Sequence, residues 1–255
     1  MRTFKILLLL VVLGLLAAGW FFWKLPASFA VRYGANYLGP VTLTGVSGTL
    51  WDGHADGVSV LGRDLGEIEW RAQKAPLFDG RFVADVRIKG ADVDAAGTMT
   101  RNGDGSMQVH EMRFSVPAEL LATSLDLGGA KLLGTISGVV NQAKFATTAL
   151  SDASGNARWS GAGVAGQAET HLPDILGEFA SQPDGSIGGQ ARDDGSGNLA
   201  VDGNFKIGFN VLDAQATLSP RNGDEQVAEM LRRIGEPQPD GSTRFVVHGQ
   251  MIKFR

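Results

Sequence analysis

The feature that most constrains the fold is a period-two alternation of apolar and polar residues, which begins near Val41 and continues through most of the chain. Residues 82–89 show it most clearly, because the apolar residues Ala84, Val86 and Ile88 are separated by charged ones. Successive side chains of a β-strand point to opposite faces of a sheet, whereas a helix repeats about every 3.6 residues. The alternation therefore predicts strands with one face in water and the other face packed.

Glycine-rich breaks separate these segments about every ten residues, a spacing typical of all-β domains. Glycine supplies 35 of the 255 residues, roughly twice its usual share. Several breaks pair glycine with a short polar residue that tolerates the backbone of tight hairpins, namely Asp52-Gly53, Asp79-Gly80, Asn102-Gly103 and Asp202-Gly203. We therefore predict a mostly β, largely antiparallel, curved sheet. The pattern leaves open a sandwich, a barrel or an elongated half-pipe.

Only short segments have helical character. Residues 117–125 and 173–180 each begin with proline, which is favoured at the first position of a helix. Residues 224–234 place four apolar side chains on one helical face, those of Val227, Met230, Leu231 and Ile234. We predict two or three short helices in the β domain, and an amphipathic connector at residues 26–38.

An apolar run at residues 6–23 predicts a transmembrane helix. Its 18 residues contain no charge, and at about 1.5 Å per residue they cover roughly 27 Å, close to the hydrocarbon thickness of a bilayer. Arg2 and Lys5 precede the run and indicate a cytoplasmic N-terminus, because positive charges stay on the inner side. Trp20 and Trp23 lie at its other end, where indole rings favour the membrane interface.

This run predicts a division of the chain into two parts. Residues 1–24 form a cytoplasmic stub and a single-pass inner-membrane anchor, and residues 25–255 form a periplasmic domain. The alternative is a cleaved signal peptide, for which Ser28-Phe29-Ala30 offers a small-x-small site. The length of the run and the bulky aromatic residues before that site favour the uncleaved anchor.

Composition excludes several classes of function. Residues 25–255 carry 20 basic and 27 acidic side chains, and an acidic domain does not attract nucleic acid. The chain has no cysteine, so disulfides, thiolate metal sites and cysteine nucleophiles are excluded.

Motifs for catalysis, cofactors or metals are weak or missing. The four histidines, His54, His110, His171 and His248, lie more than 50 residues apart and have no metal-ligand spacing. Residues 161–166 match a glycine-rich dinucleotide fingerprint in letters, but no βαβ pattern surrounds them. We therefore predict a non-enzymatic protein without catalytic, cofactor-binding or metal-binding residues. The residue patterns are compatible with two functions, which are binding another protein at a sheet edge and binding a lipid in an apolar groove.

The segment after the anchor carries a recognisable signature. It reads Val41-x-Leu43-x-Gly45-Val46-x-Gly48-Thr49-Leu50-Trp51-x-Gly53 and follows Leu25-Pro26 at the end of the apolar run. The C-terminal part adds Ala216-x-Leu218-x-Pro220, a helix through Met230-Leu231, and Asp240-Gly241-Ser242. With this layout, the chain resembles the type II secretion system protein N family of Gram-negative bacteria.

This resemblance implies an inner-membrane component of the machine that exports folded proteins across the outer membrane. It implies contacts between the periplasmic domain and other secretion components, with the secretin as a candidate partner, and it supplies no catalytic residues. Gly45, Gly48, Leu50, Trp51 and Gly53 are expected to be structural residues of the signature. For Trp51 we predict an indole packed at the end of a strand rather than a ligand contact.

A second, more distant similarity points to lipid. The Val-x-Gly-x-Leu-Trp-x-Gly type of segment is similar to AsmA-like proteins, which are linked to lipid traffic between membranes. This alternative predicts a periplasmic protein that binds or transfers lipid in an apolar groove.

Overall fold

A computed structural model of the chain describes residues 13–14, 19–34, 41–60, 62–122, 131–146, 149–165, 169–208 and 211–250. Its contacts separate two compact units, Met1–Gly90 (unit 1) and Ala91–Arg255 (unit 2). Both units are mostly β, and all of the strand pairs described within them are antiparallel. The prediction of a mostly β, antiparallel protein is therefore confirmed.

In the described part of unit 1, residues 13–14 and 19–23 are helical, and the helix α1 (Ala27–Gly34) comes next. Five strands follow, which are β1 (Val41–Thr44), β2 (Ser47–Gly48), β3 (Asp52–Val60), β4 (Arg63–Gln73) and β5 (Phe82–Lys89). β1 and β2 both pair with β3, which pairs with β4, and β4 pairs with β5. A 3-10 helix, Ala75–Asp79, connects β4 to β5.

Unit 2 is a longer meander of strands with two helices. Its strands are β6 (Asp94–Arg101), β7 (Met107–Pro117), β8 (Lys131–Ala146), β9 (Ala149–Ala165), β10 (Glu169–His171), β11 (Ile175–Ser181), β12 (Ile187–Asp193), β13 (Leu199–Ile207), β14 (Val211–Pro220), β15 (Glu236–Pro237) and β16 (Thr243–Gln250). The order of paired strands is β6-β7-β8-β9-β11-β12-β13-β14-β16-β15, with β10 attached to β9. This order describes an open sheet.

Two helices interrupt the meander of unit 2. α2 (Ala118–Ala122) follows β7, and α3 (Glu225–Ile234) follows β14. α3 begins where Asp224 caps it, because the carboxylate of Asp224 accepts hydrogen bonds from the N–H groups of Gln226 and Val227. The helix predicted at residues 224–234 is therefore confirmed.

The period-two alternation appears directly in the burial of the strands. Along β11, half-buried residues such as Phe179 alternate with exposed residues such as Glu178. Along this strand, one face is therefore more exposed to water than the other, as the sequence predicted.

Within the residues that the structure describes, buried apolar side chains form three small clusters in the two units. In unit 1, Trp51 packs with Ala72 and Ala84. In unit 2, one cluster consists of Ala143, Ala153 and Ile187, and another of Leu199, Leu218 and Leu231, where α3 covers the sheet.

The helix predicted at residues 173–180 is wrong, because Ile175–Ser181 is the strand β11. β11 pairs with β9 on one side and with β12 on the other, so its backbone groups are bonded along both edges. This pairing outweighs the weak helix signal of an initial proline.

The other predicted helices are found in part. The prediction at 117–125 corresponds to α2, whose end at Ala122 adjoins residues 123–130, which lie outside the described residues. The connector predicted at 26–38 contains α1, and its last four residues also lie outside.

The predicted transmembrane helix is not found among the described residues. No helix in that part of the chain is long and apolar enough to cross a membrane. Most of the apolar run, residues 6–12 and 15–18, lies outside the described residues, as do Arg2 and Lys5. The anchor therefore stays a prediction.

Candidate functional site

The signature glycines shape a tight turn between β2 and β3. Gly48 has a φ of 80°, a left-handed conformation that favours glycine, and a methyl group on it would lie 2.5 Å from the carbonyl oxygen of Asp52. Thr49 closes the turn, because its N–H donates to the same oxygen at 2.8 Å and its hydroxyl accepts from the N–H of Asp52 at 3.1 Å. The turn holds Leu50 and Trp51 between these two residues.

Trp51 binds this turn to the residues that precede α1. Its side chain is only 5% exposed, and Nε1 donates a hydrogen bond of 3.1 Å to the carbonyl oxygen of Phe22. The two rings also meet edge to face, with centroids 5.2 Å apart. The N–H of Leu50 donates to the carbonyl oxygen of Leu25 at 2.9 Å, and Pro26 forms a bridge with Thr49.

Trp70 of β4 holds the same turn from the neighbouring strand. Its Nε1 donates a hydrogen bond of 3.1 Å to the carbonyl oxygen of Leu50. Its ring covers Gly53, where an added methyl group would overlap the indole. Gly53 is therefore required by the close approach of the Trp70 ring.

Lys74 completes the arrangement at the end of β4. Its Nζ lies 3.5 Å from the centroid of the Trp23 ring and 5.5 Å from that of Trp51. An ammonium group over an indole face is attracted by the ring electrons. We name Phe22, Trp23, Trp51, Trp70 and Lys74 the aromatic clamp. Its geometry suits a mechanical task, since it fastens residues 22–26 to the sheet through both side chains and backbone.

The structure brings the predicted signature residues together. Gly48, Leu50, Trp51 and Gly53 all lie in or beside the turn of the clamp, and Gly45 lies at the entry to β2 with a φ of 64°. Trp23, which was expected only at the membrane boundary, contacts Lys74 in the clamp, whereas Trp20 is 68% exposed. Sequence analysis missed Lys74, because a lone lysine after a strand has no local signature.

A buried carboxylate organises a second group of residues in unit 2. The side chain of Asp193 is 6% exposed. Its carboxylate accepts hydrogen bonds from the N–H groups of Val201, at 2.7 Å, and Gly195, at 2.8 Å, and forms an ion pair with Arg221. Burial raises the pKa of this carboxyl, but the donors outweigh burial and hold the pKa below its usual range. Asp193 therefore joins the end of β12 to β13 and to the residue after β14.

Arg158 of β9 connects a neighbouring pair of aspartates. Its guanidinium lies 2.8 Å from a carboxylate oxygen of Asp174 and 3.1 Å from one of Asp194. The hydrogen bond from Arg158 lowers the pKa of Asp174, and the hydroxyl of Ser196 lowers the pKa of Asp194. These contacts tie loops together, and the described residues contain no group of three or more His, Asp or Glu that could hold a metal ion.

The lowered pKa values of Asp174, Asp193 and Asp194 predict that the protein loses stability in acid. Because their folded pKa values lie below the unfolded ones, the stability they contribute is present above about pH 4 and is lost as the pH falls through the folded values. We expect the melting temperature of the full chain to fall progressively below about pH 4, and the Asp193→Asn variant to be less stable at neutral pH with a shallower acid dependence. Asp202→Asn, on an exposed position of β13, is the matched control. A melting temperature that stays constant from about pH 7 to pH 3 would contradict this assignment.

Among the described residues of unit 2, three turns share one Asp-Gly-Ser geometry with a buried serine, and Asp194-Gly195-Ser196 has the same hydrogen bonds with an exposed serine. In each turn an aspartate oxygen accepts from both the N–H and the hydroxyl of the serine two residues later, in the pairs Asp104–Ser106, Asp184–Ser186 and Asp240–Ser242. The three serines are buried. Such turns satisfy their own polar groups, so their acidic residues have structural roles.

The last long strand of unit 2 has an accessible edge. β16 pairs with β14 from Thr243 to Gln250, whereas β15 covers only Thr243 and Arg244 on the other edge. No further strand pairs with β16 in the part of the chain that the structure describes. Phe245 is 38% exposed and Val246 is 39% exposed on this strand. An edge of this kind offers unpaired backbone groups to an incoming strand.

An open hollow of about 960 Å³ lies on the sheet of unit 2, over β9, β11, β12 and β13. Exposed polar side chains supply part of its lining, namely those of Asn156, Glu178, Gln190, Asn204 and Lys206. Phe179 and Phe205 also line the hollow, so its surface is both polar and apolar.

Comparisons with known proteins identify the family. The family model described as "Type II secretion system (T2SS), protein N" matches residues 39–246, which include the segment from Val41 to Gly53, the residues that line the hollow and the first half of β16. The chain belongs to this family. It is also 28% identical over 218 residues to the type II secretion system protein N of Vibrio cholerae serotype O1 (strain ATCC 39315 / El Tor Inaba N16961), covering 82% of this chain and 83% of that relative. No solved structure matches the chain.

Membership of the family establishes the general role. The chain takes part in type II secretion and protein transport, and its family is one of secretion components in the cell envelope. The more distant similarity to AsmA-like proteins stays a prediction.

Proposed function

We propose that this protein is a non-enzymatic, inner-membrane-anchored component of the type II secretion system. Residues 1–24 would cross the membrane once with the N-terminus in the cytoplasm, and residues 25–255 would form the periplasmic domain. The aromatic clamp is the observation that carries this proposal. It fastens the residues at the end of the apolar run to the first strands by four kinds of contact, namely a backbone hydrogen bond, an indole hydrogen bond, ring packing and a cation over a ring.

Such fastening has a mechanical purpose in an anchored protein. A sheet joined to its anchor by a flexible linker samples many orientations, whereas a clamped joint presents a defined surface to its neighbours. Trp51 and Lys74 restrict the joint on the sheet side, and Phe22 and Trp23 restrict it on the side of the apolar run.

The edge of β16 supplies the partner contact. We assign to it a β-strand of another secretion component, with the secretin as the first candidate. Main-chain hydrogen bonds to the free edge would give affinity, and the exposed side chains of Phe245 and Val246 would give an apolar contact.

A lysine on this edge tests the assignment. We expect Val246→Lys to remove the co-purification of secretion components with the full chain from detergent-solubilised envelopes, because a charged side chain on an edge strand opposes strand addition. Val211→Lys is the matched control, since Val211 is also a valine of similar exposure, at 46%, but begins the inner strand β14. Equal recovery of the partners by both variants would contradict docking at β16.

A further inference from the structure

The 3-10 helix between β4 and β5 holds an apolar side chain out in water. Phe78 is 93% exposed, which makes it the most exposed of the large apolar side chains in the described residues. The turn around it is well formed, because Gly80 adopts a φ of 71° and its N–H donates to Leu77 at 3.0 Å. The N–H of Arg81 donates to the carbonyl oxygen of Pro76 at 3.0 Å. A closed turn of this kind fixes Phe78 in its outward position.

The base of this turn touches the aromatic clamp. Leu77 packs against the cluster of Trp51, Ala72 and Ala84, so it points inward where Phe78 points outward. Lys74, which immediately precedes the turn, lies over the ring of Trp23. Phe78 is therefore held beside the end of the apolar run, within the same unit.

Exposed aromatic residues also lie at the end of the apolar run, where Trp23 contacts Lys74. Trp20, Phe21 and Trp23 are all more than half exposed. Lys74 and Arg81 flank the turn, and Asp79 is paired with Arg81 at 3.3 Å. Aromatic rings combined with basic side chains favour the boundary between anionic headgroups and acyl chains.

We propose that the turn Ala75–Asp79 is a second membrane contact, in which Phe78 enters the headgroup region of a phospholipid bilayer while Lys74 and Arg81 lie among anionic headgroups. This inference rests on the proposed anchor, because the anchor places Trp23 at the membrane surface. A contact at two points would restrict the tilt of the sheet relative to the membrane, which a single helix does not.

The chain has no cysteine, so single cysteines allow a site-specific test. Phe78→Cys, Leu13→Cys and Lys89→Cys are each labelled with an environment-sensitive nitrobenzoxadiazole probe in the full chain. The protein is reconstituted into vesicles of phosphatidylethanolamine and phosphatidylglycerol, without spin-labelled lipid or with lipids spin-labelled both near the headgroup and near the middle of the acyl chain. Leu13 reports on the anchor. Lys89 is an exposed control at the opposite end of β5, about 20 Å from the start of that strand.

The spin-labelled lipids should cause a loss of fluorescence at positions 13 and 78 but not at position 89. Quenching at 13 without quenching at 78 overturns this inference and leaves the anchor standing. Absence of quenching at position 13 overturns the anchor, and the inference with it. A probe at 78 that is shielded both from lipid and from a water-soluble quencher indicates a protein contact, within the chain or with a second copy of it, and that result also overturns the inference.

Discussion

Replacing Trp51 with alanine is expected to destabilise unit 1 by about 3–5 kcal/mol, the range for truncating a buried tryptophan. The change empties the centre of the aromatic clamp, removes the hydrogen bond to Phe22 and exposes the cluster with Ala72 and Ala84. Hydrogen exchange of the β3 and β4 amides in the full chain measures the effect locally. We expect protection of these amides to be lost in the variant.

Two substitutions serve as controls for Trp51→Ala. Trp51→Phe keeps most of the apolar contact but loses the indole N–H, so a smaller loss is expected. Trp20→Ala removes a tryptophan that is 68% exposed and should leave the exchange of β3 unchanged. If Trp51→Ala left stability unchanged and abolished secretion, Trp51 would be a contact residue rather than a structural one.

Replacing Leu231 with alanine is expected to destabilise unit 2 by about 2–5 kcal/mol. Leu231 is 1% exposed and lies between Leu199 of β13 and Leu218 of β14, so its loss leaves a cavity under α3. Hydrogen exchange of the β13 and β14 amides should show reduced protection. Its neighbour Arg232 is exposed, and Arg232→Ala is the matched control with little expected effect. Equal protection in the two variants would show that α3 does not stabilise these strands.

The strands were predictable because their signal is local. Alternation in segments such as 82–89 requires no knowledge of distant residues, and β5 follows from it. The predicted break at Asn102-Gly103 is a turn, whereas those at Asp52-Gly53 and Asp202-Gly203 are wrong, because both pairs lie within the strands β3 and β13 and are bonded to neighbouring strands. The helix α3 was also predictable, since its cap at Asp224 and its apolar face lie within one short segment.

The features that the sequence did not predict depend on contacts between residues far apart in the chain. Residues 173–180 carry an ambiguous local signal, and only pairing with β9 and β12 makes them a strand. The signature around Trp51 was visible, but its partners Phe22 and Lys74 lie 29 and 23 residues away. No periodic pattern links these positions, so the clamp could not be derived from the sequence.

The partner contact of the proposed component is tested most directly by cross-linking in living cells. A photo-reactive amino acid replaces Val246 in the full chain, with replacement of Val211 as the control, and the products are identified by mass spectrometry. We expect a cross-link from position 246 to another type II secretion component, with the secretin as first candidate, and none from position 211. Cross-links from 246 only to proteins outside the secretion system would contradict this expectation.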